Sequence, residues 1–283
     1  MPRIVGGCLT SCCRSDDNLG STLPGTFPRS IDMTVFTARR SAAVLRDSAR
    51  KPTPEELHEI PWLDRLTDDE RERALEALVV GEAEPGDYIC RIGRPVTYWF
   101  GLVDGLLKMS NDESLGPAIT FTGVAPGGWF GEGTVLKHEQ YRYNIQALRR
   151  SRVAGLPVAT FDWLIDHSLG FNRFVMLQLN ERLGQFIAAR EIDRLNNPDL
   201  RVARNLAALF HPLLSPSVGG ALRITQQELA YLVGLSRQRV NEALSTLERL
   251  GWIRVEYGGV RVLDLQALRS GQIEPPSAGS SLG

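Results

Sequence analysis

The side chains whose types and spacing point most clearly to a chemistry lie close together near the C-terminus. Arg237, Gln238 and Asn241 follow Ser236, with Arg239 at their flank. An arginine can donate two hydrogen bonds to guanine, and Asn or Gln can form a matching pair of bonds with adenine. Because Ser is a preferred N-cap, these side chains fall in the first turns of a predicted helix, the part of a recognition helix that contacts bases. The stretch therefore predicts sequence-specific binding to double-stranded DNA.

Two helices and a hairpin must position these side chains. Thr225 and Glu228 have the spacing of a capping box that opens a short first helix, and Gly234 can adopt the left-handed conformation that ends it. Two short strands around Gly258-Gly259 predict a wing after the second helix. Four apolar residues of the second helix are predicted to point inward: Val240, Ala243, Leu244 and Leu247. The segment is therefore predicted to be a winged helix-turn-helix rather than a helical hairpin with a solvated polar face.

The preceding residues predict a separate sensor domain. Order is predicted to begin near Thr53, and from Val80 to Leu156 short apolar or alternating runs are separated by glycine turns, as in an antiparallel roll or barrel. A helical pattern resumes near Asp162, runs to Leu195 and is broken at Asn196–Asp199. The predicted organisation is a disordered leader (1–50), a β-roll sensor (51–168), a long dimerisation helix (169–196), a DNA-binding domain (197–270) and a disordered tail (271–283). Met33 leaves open whether residues 1–32 belong to the natural protein.

An apolar stripe marks the long helix. Met176, Leu179, Leu183 and Phe186 step by three, four and three residues. Two interpretations remain open: the stripe packs against its own domain, or it forms the seam of a parallel dimer. Charged residues beside the stripe, among them Arg182, favour the dimer seam.

Residues 224–253 resemble the helix-turn-helix of the CRP/FNR (cyclic-AMP receptor protein/fumarate-nitrate regulator) family, and a looser resemblance covers residues 55–268. The resemblance implies an α+β fold with an N-terminal antiparallel β-roll, a long dimerisation helix and a C-terminal winged helix-turn-helix. It further implies a homodimer on a two-fold DNA site that recruits or blocks RNA polymerase. The expected DNA-contacting residues are Thr225, Gln226, Ser236, Arg237, Gln238, Arg239 and Asn241. By resemblance, Thr225 and Ser236 contact phosphates, whereas Arg237 and Gln238 contact bases.

The recognition helix departs from that of the family's best-known member. Gln238 and Glu242 stand where that protein has an acidic residue and an arginine. The preferred half-site is therefore not expected to be the familiar one.

The effector site that the resemblance implies is only partly present. Cyclic-nucleotide members carry Gly-Glu followed about ten residues later by Arg-Ser or Arg-Thr. Here Gly131-Glu132 and Thr134 are followed by Arg142-Tyr143, with the arginine one place late. A one-residue shift on a strand turns a side chain to the opposite face. Three alternatives remain open: a cyclic nucleotide, another small effector, or DNA binding without a ligand; Glu132 is equally consistent with a structural turn carboxylate.

The cysteines do not have the spacing of an iron–sulfur site. Cys8, Cys12, Cys13 and Cys90 match in number the cluster ligands of an oxygen-sensing branch of the family, but Cys12 and Cys13 are adjacent, which gives poor geometry for two ligands. We therefore expect no cluster, and the isolated histidines predict no metal site.

Composition and the remaining motifs narrow the function classes. The chain has 283 residues, a formal net charge of -1 and no apolar run of bilayer length, and we expect a cytoplasmic protein without membrane contact. No nucleophile elbow or phosphate loop occurs, so an enzyme is not predicted. A nucleotide-binding module that acts through protein contacts is the alternative. The polar tip Arg237-Gln238-Arg239 argues against it, because a protein-docking helix normally exposes apolar anchors.

Overall fold

The computed structural model describes residues 45, 49–111, 119–192 and 197–271. In chain order its elements are α1 (Pro54–His58), α2 (Asp68–Ala77), β1 (Val79–Ala83), β2 (Tyr88–Cys90), β3 (Tyr98–Asp104), β4 (Leu107–Asn111), β5 (Ile119–Val124), β6 (Trp129–Phe130), α3 (Glu132–Leu136), β7 (Asn144–Ala147), β8 (Ser151–Pro157), α4 (Val158–His167), α5 (Leu169–Ile192), α6 (Pro198–Ala208), β9 (Ala221–Arg223), α7 (Gln226–Val233), α8 (Arg237–Arg249), β10 (Ile253–Glu256), β11 (Gly259–Val262) and α9 (Leu265–Ser270). Short 3-10 turns lie at Leu63–Arg65 and Pro216–Val218.

The strands of the first half form two antiparallel four-stranded sheets. Their orders are β1-β8-β3-β6 and β2-β7-β4-β5. This confirms the predicted antiparallel roll. Glycine turns permit the reversals, and the inward faces of the strands carry the apolar side chains that the alternating pattern indicated.

An aromatic cluster joins the roll to α5. Trp62 and Trp99 are fully buried and pack edge-to-face on Phe171, with ring centroids 5.3 and 5.4 Å away, and Trp129 packs on both tryptophans. Gly101 makes room for this packing, because a Cβ there would lie 2.3 Å from the Trp129 ring. The helix is therefore seated on its own roll by large apolar contacts.

The helical segment predicted from Asp162 to Leu195 is two helices rather than one. Ser168 has an extended backbone between α4 and α5, its hydroxyl accepts a hydrogen bond from the Phe171 N–H at 3.2 Å, and it donates to Glu70 at 2.8 Å. The break lies between residues 168 and 169, where the sequence analysis also separates the sensor (51–168) from the long helix (169–196). A serine that satisfies the first N–H groups of a new helix permits such a break without a Pro or Gly.

The predicted apolar seam on α5 is divided between two faces. Leu179 packs against the tryptophan cluster, and Phe186 packs edge-to-face on Phe121 of β5. Met176 and Leu183 instead point to solvent. We call the large exposed apolar side chains of this helix from residue 176 onward the α5 stripe; they are Met176, Leu177, Leu183 and Ile187.

The C-terminal elements form a further apolar core, which also takes in Leu106 and Ala125 of the roll. All four predicted inward-facing residues of α8 are buried, which confirms the assignment of that face. The wing is a three-stranded sheet of order β10-β11-β9, and Glu256 pairs with Gly259. Its turn therefore lies at Tyr257-Gly258 rather than at the predicted Gly258-Gly259.

The ends of the predicted organisation differ in part from the structure. Leu45, assigned to the leader, is buried in the roll core, and Arg50 forms an antiparallel bridge with Val80. The rest of the predicted leader and residues 272–283 of the tail lie outside the described residues.

Candidate nucleic-acid interface and ligand cavity

The two helices of the C-terminal motif are held by the caps that the sequence predicts. The Thr225 hydroxyl accepts a hydrogen bond from the Glu228 N–H at 3.2 Å, and the Glu228 carboxylate accepts from the Thr225 N–H at 2.7 Å. Gly234 ends α7 at φ 65°, in the left-handed region that favours glycine. Ser236 then caps α8 by accepting from the Arg239 N–H at 3.2 Å. These three hydrogen bonds and the left-handed glycine fix the angle at which α8 leaves the turn.

The first turns of α8 present polar side chains to solvent. Arg237, Gln238 and Asn241 are exposed, as is Ser236 at the cap. Gln226, at the start of α7, donates a hydrogen bond to the Asn241 amide oxygen at 2.7 Å. The structure thus brings residues of both helices together on one surface.

Two acidic partners on this surface were not predicted. Arg239 pairs with Glu242 on α8 and with Asp199 on α6, each at 2.8 Å. Gln238 donates to Glu242 at 3.3 Å. The hydrogen bond from Arg239 lowers the pKa of the Glu242 carboxyl. The spacing of Arg239 and Glu242 could have shown the pair within the helix, whereas the contact to Asp199 depends on how α6 packs.

Glu132, the predicted effector carboxylate, is already paired. Its side chain is 2% exposed, and it accepts a hydrogen bond from Arg182 Nε of α5 at 2.9 Å. Arg182 also donates to the Trp129 carbonyl at 2.6 Å, as does Gln178 at 2.9 Å. The second Glu132 oxygen is buried without a hydrogen-bond partner among the described residues. The sequence identifies Arg182 only as a charge beside the apolar stripe of α5. Its contact with Glu132 joins residues 50 positions apart, and sequence spacing gives no signal for such a pair.

The other predicted effector residues lie on both sides of Glu132. Gly131 precedes α3 with φ 93°, and the Tyr143 phenol hydrogen-bonds to Thr134. Burial raises the pKa of Tyr143. Arg142 is 74% exposed and pairs with Glu139 at 2.8 Å. Arg142 precedes β7 and is not part of a strand. The predicted turn of its side chain to the opposite face of a strand therefore does not apply.

A cavity of about 1080 Å³ opens between the roll, α5 and the DNA-facing domain. Its wall includes Arg142 and Tyr143 but not Glu132, Gly131 or Thr134. The cavity therefore adjoins the predicted effector residues and extends away from them toward α6 and α7.

The described part of the chain offers no metal centre. No three His, Cys, Asp or Glu side chains within it are grouped to hold an ion. Cys90 is a buried free thiol whose pKa is raised by burial, and Cys8, Cys12 and Cys13 lie outside the described residues. Among the same described residues, no helix has the length and apolarity needed to span a bilayer.

Comparison with known proteins identifies both halves. The family model described as a cyclic nucleotide-binding domain matches residues 80–168, and the model of a Crp-like helix-turn-helix domain matches residues 200–270. The transcriptional regulator SdrP of Thermus thermophilus is 31% identical over 176 residues, which are 60% of this chain and 81% of that protein. The chain belongs to the CRP/FNR family.

Other relatives of this CRP/FNR protein agree. The CRP-like cAMP-activated global transcriptional regulator of Mycobacterium tuberculosis is 28% identical over 204 residues, 67% of this chain and 82% of the relative. The structure of FixK2 from Bradyrhizobium japonicum matches with a TM-score of 0.55 at 16% identity, over 68% of this chain and 96% of FixK2, and shows the fold alone. The predicted α+β fold and the helix-turn-helix are confirmed, and this CRP/FNR protein is a DNA-binding transcription regulator, not an enzyme.

Proposed function

We propose that this regulator acts in the cytoplasm as a homodimer on a palindromic operator, with α8 of each protomer in the major groove. The observation that carries the proposal is the exposed polar N-terminal end of a recognition helix that Ser236 caps. Arg237 and Gln238 read bases in this arrangement, and Asn241 with Gln226 forms a second polar pair beside them. Thr225, Ser236 and Arg239 contact phosphates, where helix N-termini and guanidinium groups are well suited to bind.

The α5 stripe supports the dimer. Leu183 and Ile187 are 59% and 58% exposed in the single chain, and the exposed Met176, seven residues before Leu183, lies on the same side of the helix. Leu177 and Ile187 flank Gly184, which has no side chain and has no atom of the single chain within 4 Å of the place of a Cβ. A second helix can therefore approach closely at this point. Burying this apolar stripe against its two-fold copy removes it from water.

The roll is proposed to be the control element. A small effector in the cavity contacts the roll, α5 and the DNA-binding domain at once, and so favours one orientation of that domain about the 196–199 hinge. Asn197 caps α6 within this hinge, while Asn196 lies outside the described residues. The DNA-bound dimer then recruits or blocks RNA polymerase.

Selection of bound sequences from a random DNA pool tests the function. Protein purified without added ligand is expected to recover a palindrome with half-sites about one helical turn apart. A half-site without its two-fold copy would contradict the dimer. A pool without any motif, both with and without cyclic nucleotides, would contradict operator binding and favour a module that acts through protein contacts.

A further inference from the structure

The cavity between the roll and the DNA-binding domain is lined by positive charge. Five cationic side chains line it: Lys108, Arg142, Arg182, Arg190 and Arg201. The residues that the structure describes contribute no carboxylate to this wall. Like charges around a shared, partly enclosed space repel one another, and an anion between them relieves the repulsion.

Two of these arginines are available to a ligand. Arg142 is paired with Glu139 and Arg182 with Glu132, whereas neither Arg190 nor Arg201 pairs with a carboxylate of the described residues. They lie on different elements, Arg190 in the last turns of α5 and Arg201 in the first turn of α6. One guanidinium nitrogen of Arg201 lies 3.4 Å from the place of a Cβ on Gly234, at the end of α7.

The remaining wall is aromatic and apolar. Phe121 and Phe186 pack edge-to-face with ring centroids 6.5 Å apart, and Tyr231 of α7, 53% exposed, also lines the cavity. Such a surface accepts a planar ring next to the charged end. The carboxylate that would hold a ribose in the cyclic-nucleotide manner, Glu132, is closed off by Arg182 and lies outside the wall.

We propose that this cavity binds a small polyanion, a nucleotide with a chain of two or more phosphates, whose phosphates bridge Arg190 and Arg201. The assignment rests on the effector control proposed above and names its ligand class. Guanidinium groups form short, charge-assisted and often bidentate bonds to phosphate oxygens. Because Arg190 and Arg201 stand on either side of the hinge, a ligand held by both ties the DNA-binding domain to the long helix.

The test is isothermal titration calorimetry of the full-length protein. The heat of binding is measured with ATP, inorganic triphosphate, cyclic AMP and adenosine. ATP and triphosphate are expected to bind. Cyclic AMP is expected to bind at least tenfold more weakly than ATP because it carries a single charge, and adenosine is expected to show no detectable binding. Arg190→Gln and Arg201→Gln are each expected to weaken ATP binding at least tenfold. Arg94→Gln, which changes an exposed arginine outside the cavity wall, is the matched control and is expected to leave binding unchanged.

Three results would overturn the assignment: no ATP or triphosphate binding up to 1 mM, cyclic AMP binding as tight as ATP, or equal ATP binding by the Arg201→Gln and Arg94→Gln proteins. Arg237→Gln separates the cavity from the DNA surface, since a loss of ATP binding in that variant would place the anion on α8 instead. Unfolding midpoints of all variants establish that they fold. Recovery of an operator by a protein that binds no polyanion would remove this ligand class alone and leave the DNA-binding function intact.

Discussion

The polar side chains at the tip of α8 differ in how far they are engaged within the chain. Gln238, Arg239 and Asn241 each hydrogen-bond to another side chain, whereas Arg237 is exposed and has no such partner among the described residues. A base contact by Arg237 therefore breaks no internal bond. Each of the other three side chains must break its internal hydrogen bond before it can form one with DNA.

Arg237→Ala is expected to reduce operator affinity by about 1–3 kcal/mol and to abolish the preference at one base pair of each half-site. The physical reason is the loss of a bidentate pair with guanine. Binding to an operator series with single-base changes measures it, with Arg249→Ala at the far end of the same helix as the control. An equal loss on every sequence would assign Arg237 to a phosphate instead.

At the opposite end of the chain, Glu56 is a buried carboxylate held by two arginines. It accepts bonds from Arg50 at 2.6 and 2.7 Å and from Arg152 at 3.2 Å, and its own exposure is 2%. The hydrogen bonds from Arg50 are the largest cause that lowers the pKa of Glu56, to about 2. Because the folded-state pKa lies below the unfolded value, the pair stabilises the fold above pH 4.5, and this contribution is lost as the pH falls toward 2.

Glu56→Gln is therefore expected to lower the free energy of unfolding at pH 7 by on the order of 2 kcal/mol, a figure that allows for the exposure of both arginines. The difference between the two proteins should shrink as the pH is lowered from about 4.5 to 2. Denaturant titrations at several pH values measure it. Glu59→Gln provides the control on a half-buried neighbour, and a difference that does not change with pH would contradict the role assigned to Glu56.

At the scale of elements, α5 has two functional faces. One face carries Phe171, Leu179 and Phe186 into the roll, and the other carries the α5 stripe. Ile187→Asp should leave the inward packing intact while placing a charge in the proposed seam, where burial without a partner is costly.

The Ile187→Asp protein is accordingly expected to sediment as a monomer at concentrations at which the wild type is dimeric, and to bind a palindrome at least tenfold more weakly. Leu263→Asp changes a comparably exposed apolar residue away from α5 and is expected to remain dimeric. Unchanged sedimentation of Ile187→Asp would place the dimer contact elsewhere.

Local signals account for the elements that the sequence predicts. Thr225 and Ser236 cap helices where their spacing indicates, and Gly234 ends a helix as expected. The two-residue β6 and three-residue β9 are too short to carry a period, so their pairing depends on the strands beside them. Periodicity likewise shows which α5 residues share a face but not what covers it, which is why Leu179 and Phe186 were assigned to the same seam as Met176.

The sequence predicts the DNA-contacting residues of α7 and α8, but it predicts the residues of the ligand cavity only in part. Arg237 and Gln238 stand next to a cap in sequence, so local rules expose them. The Glu132–Arg182 pair and the cavity cations Arg190 and Arg201 come from separate elements, and their meeting is a property of tertiary packing. Sequence spacing carries no signal for such contacts.

At the scale of the whole molecule, the DNA-binding domain is docked on its own roll. Leu106 and Ala125 of the roll are buried in the same apolar core as α6, α7 and α8. An ion pair between Arg149 of the roll and Glu228 of α7 stands beside this contact, with an Nε–Oε1 distance of 2.8 Å. Glu228 also forms the capping box of α7, so one carboxylate joins the roll to the helix that orients α8.

Removing Arg149 leaves the Glu228 carboxylate largely buried with only its capping bonds, since the side chains of the pair are 26% and 11% exposed. Arg149→Met is expected to destabilise the protein by roughly 2 kcal/mol, below the cost for a fully buried pair. In a double-mutant cycle with Glu228→Gln, the coupling energy from urea unfolding should be about 1–3 kcal/mol.

If the contact between Arg149 and Glu228 sets the orientation of α8, Arg149→Met changes operator affinity equally on all sequences, because the base-reading side chains are untouched. A coupling energy near zero together with wild-type affinity would mean that the apolar contact around Leu106 alone positions the domain, whereas an altered base preference would show that Arg149 acts on the recognition surface itself.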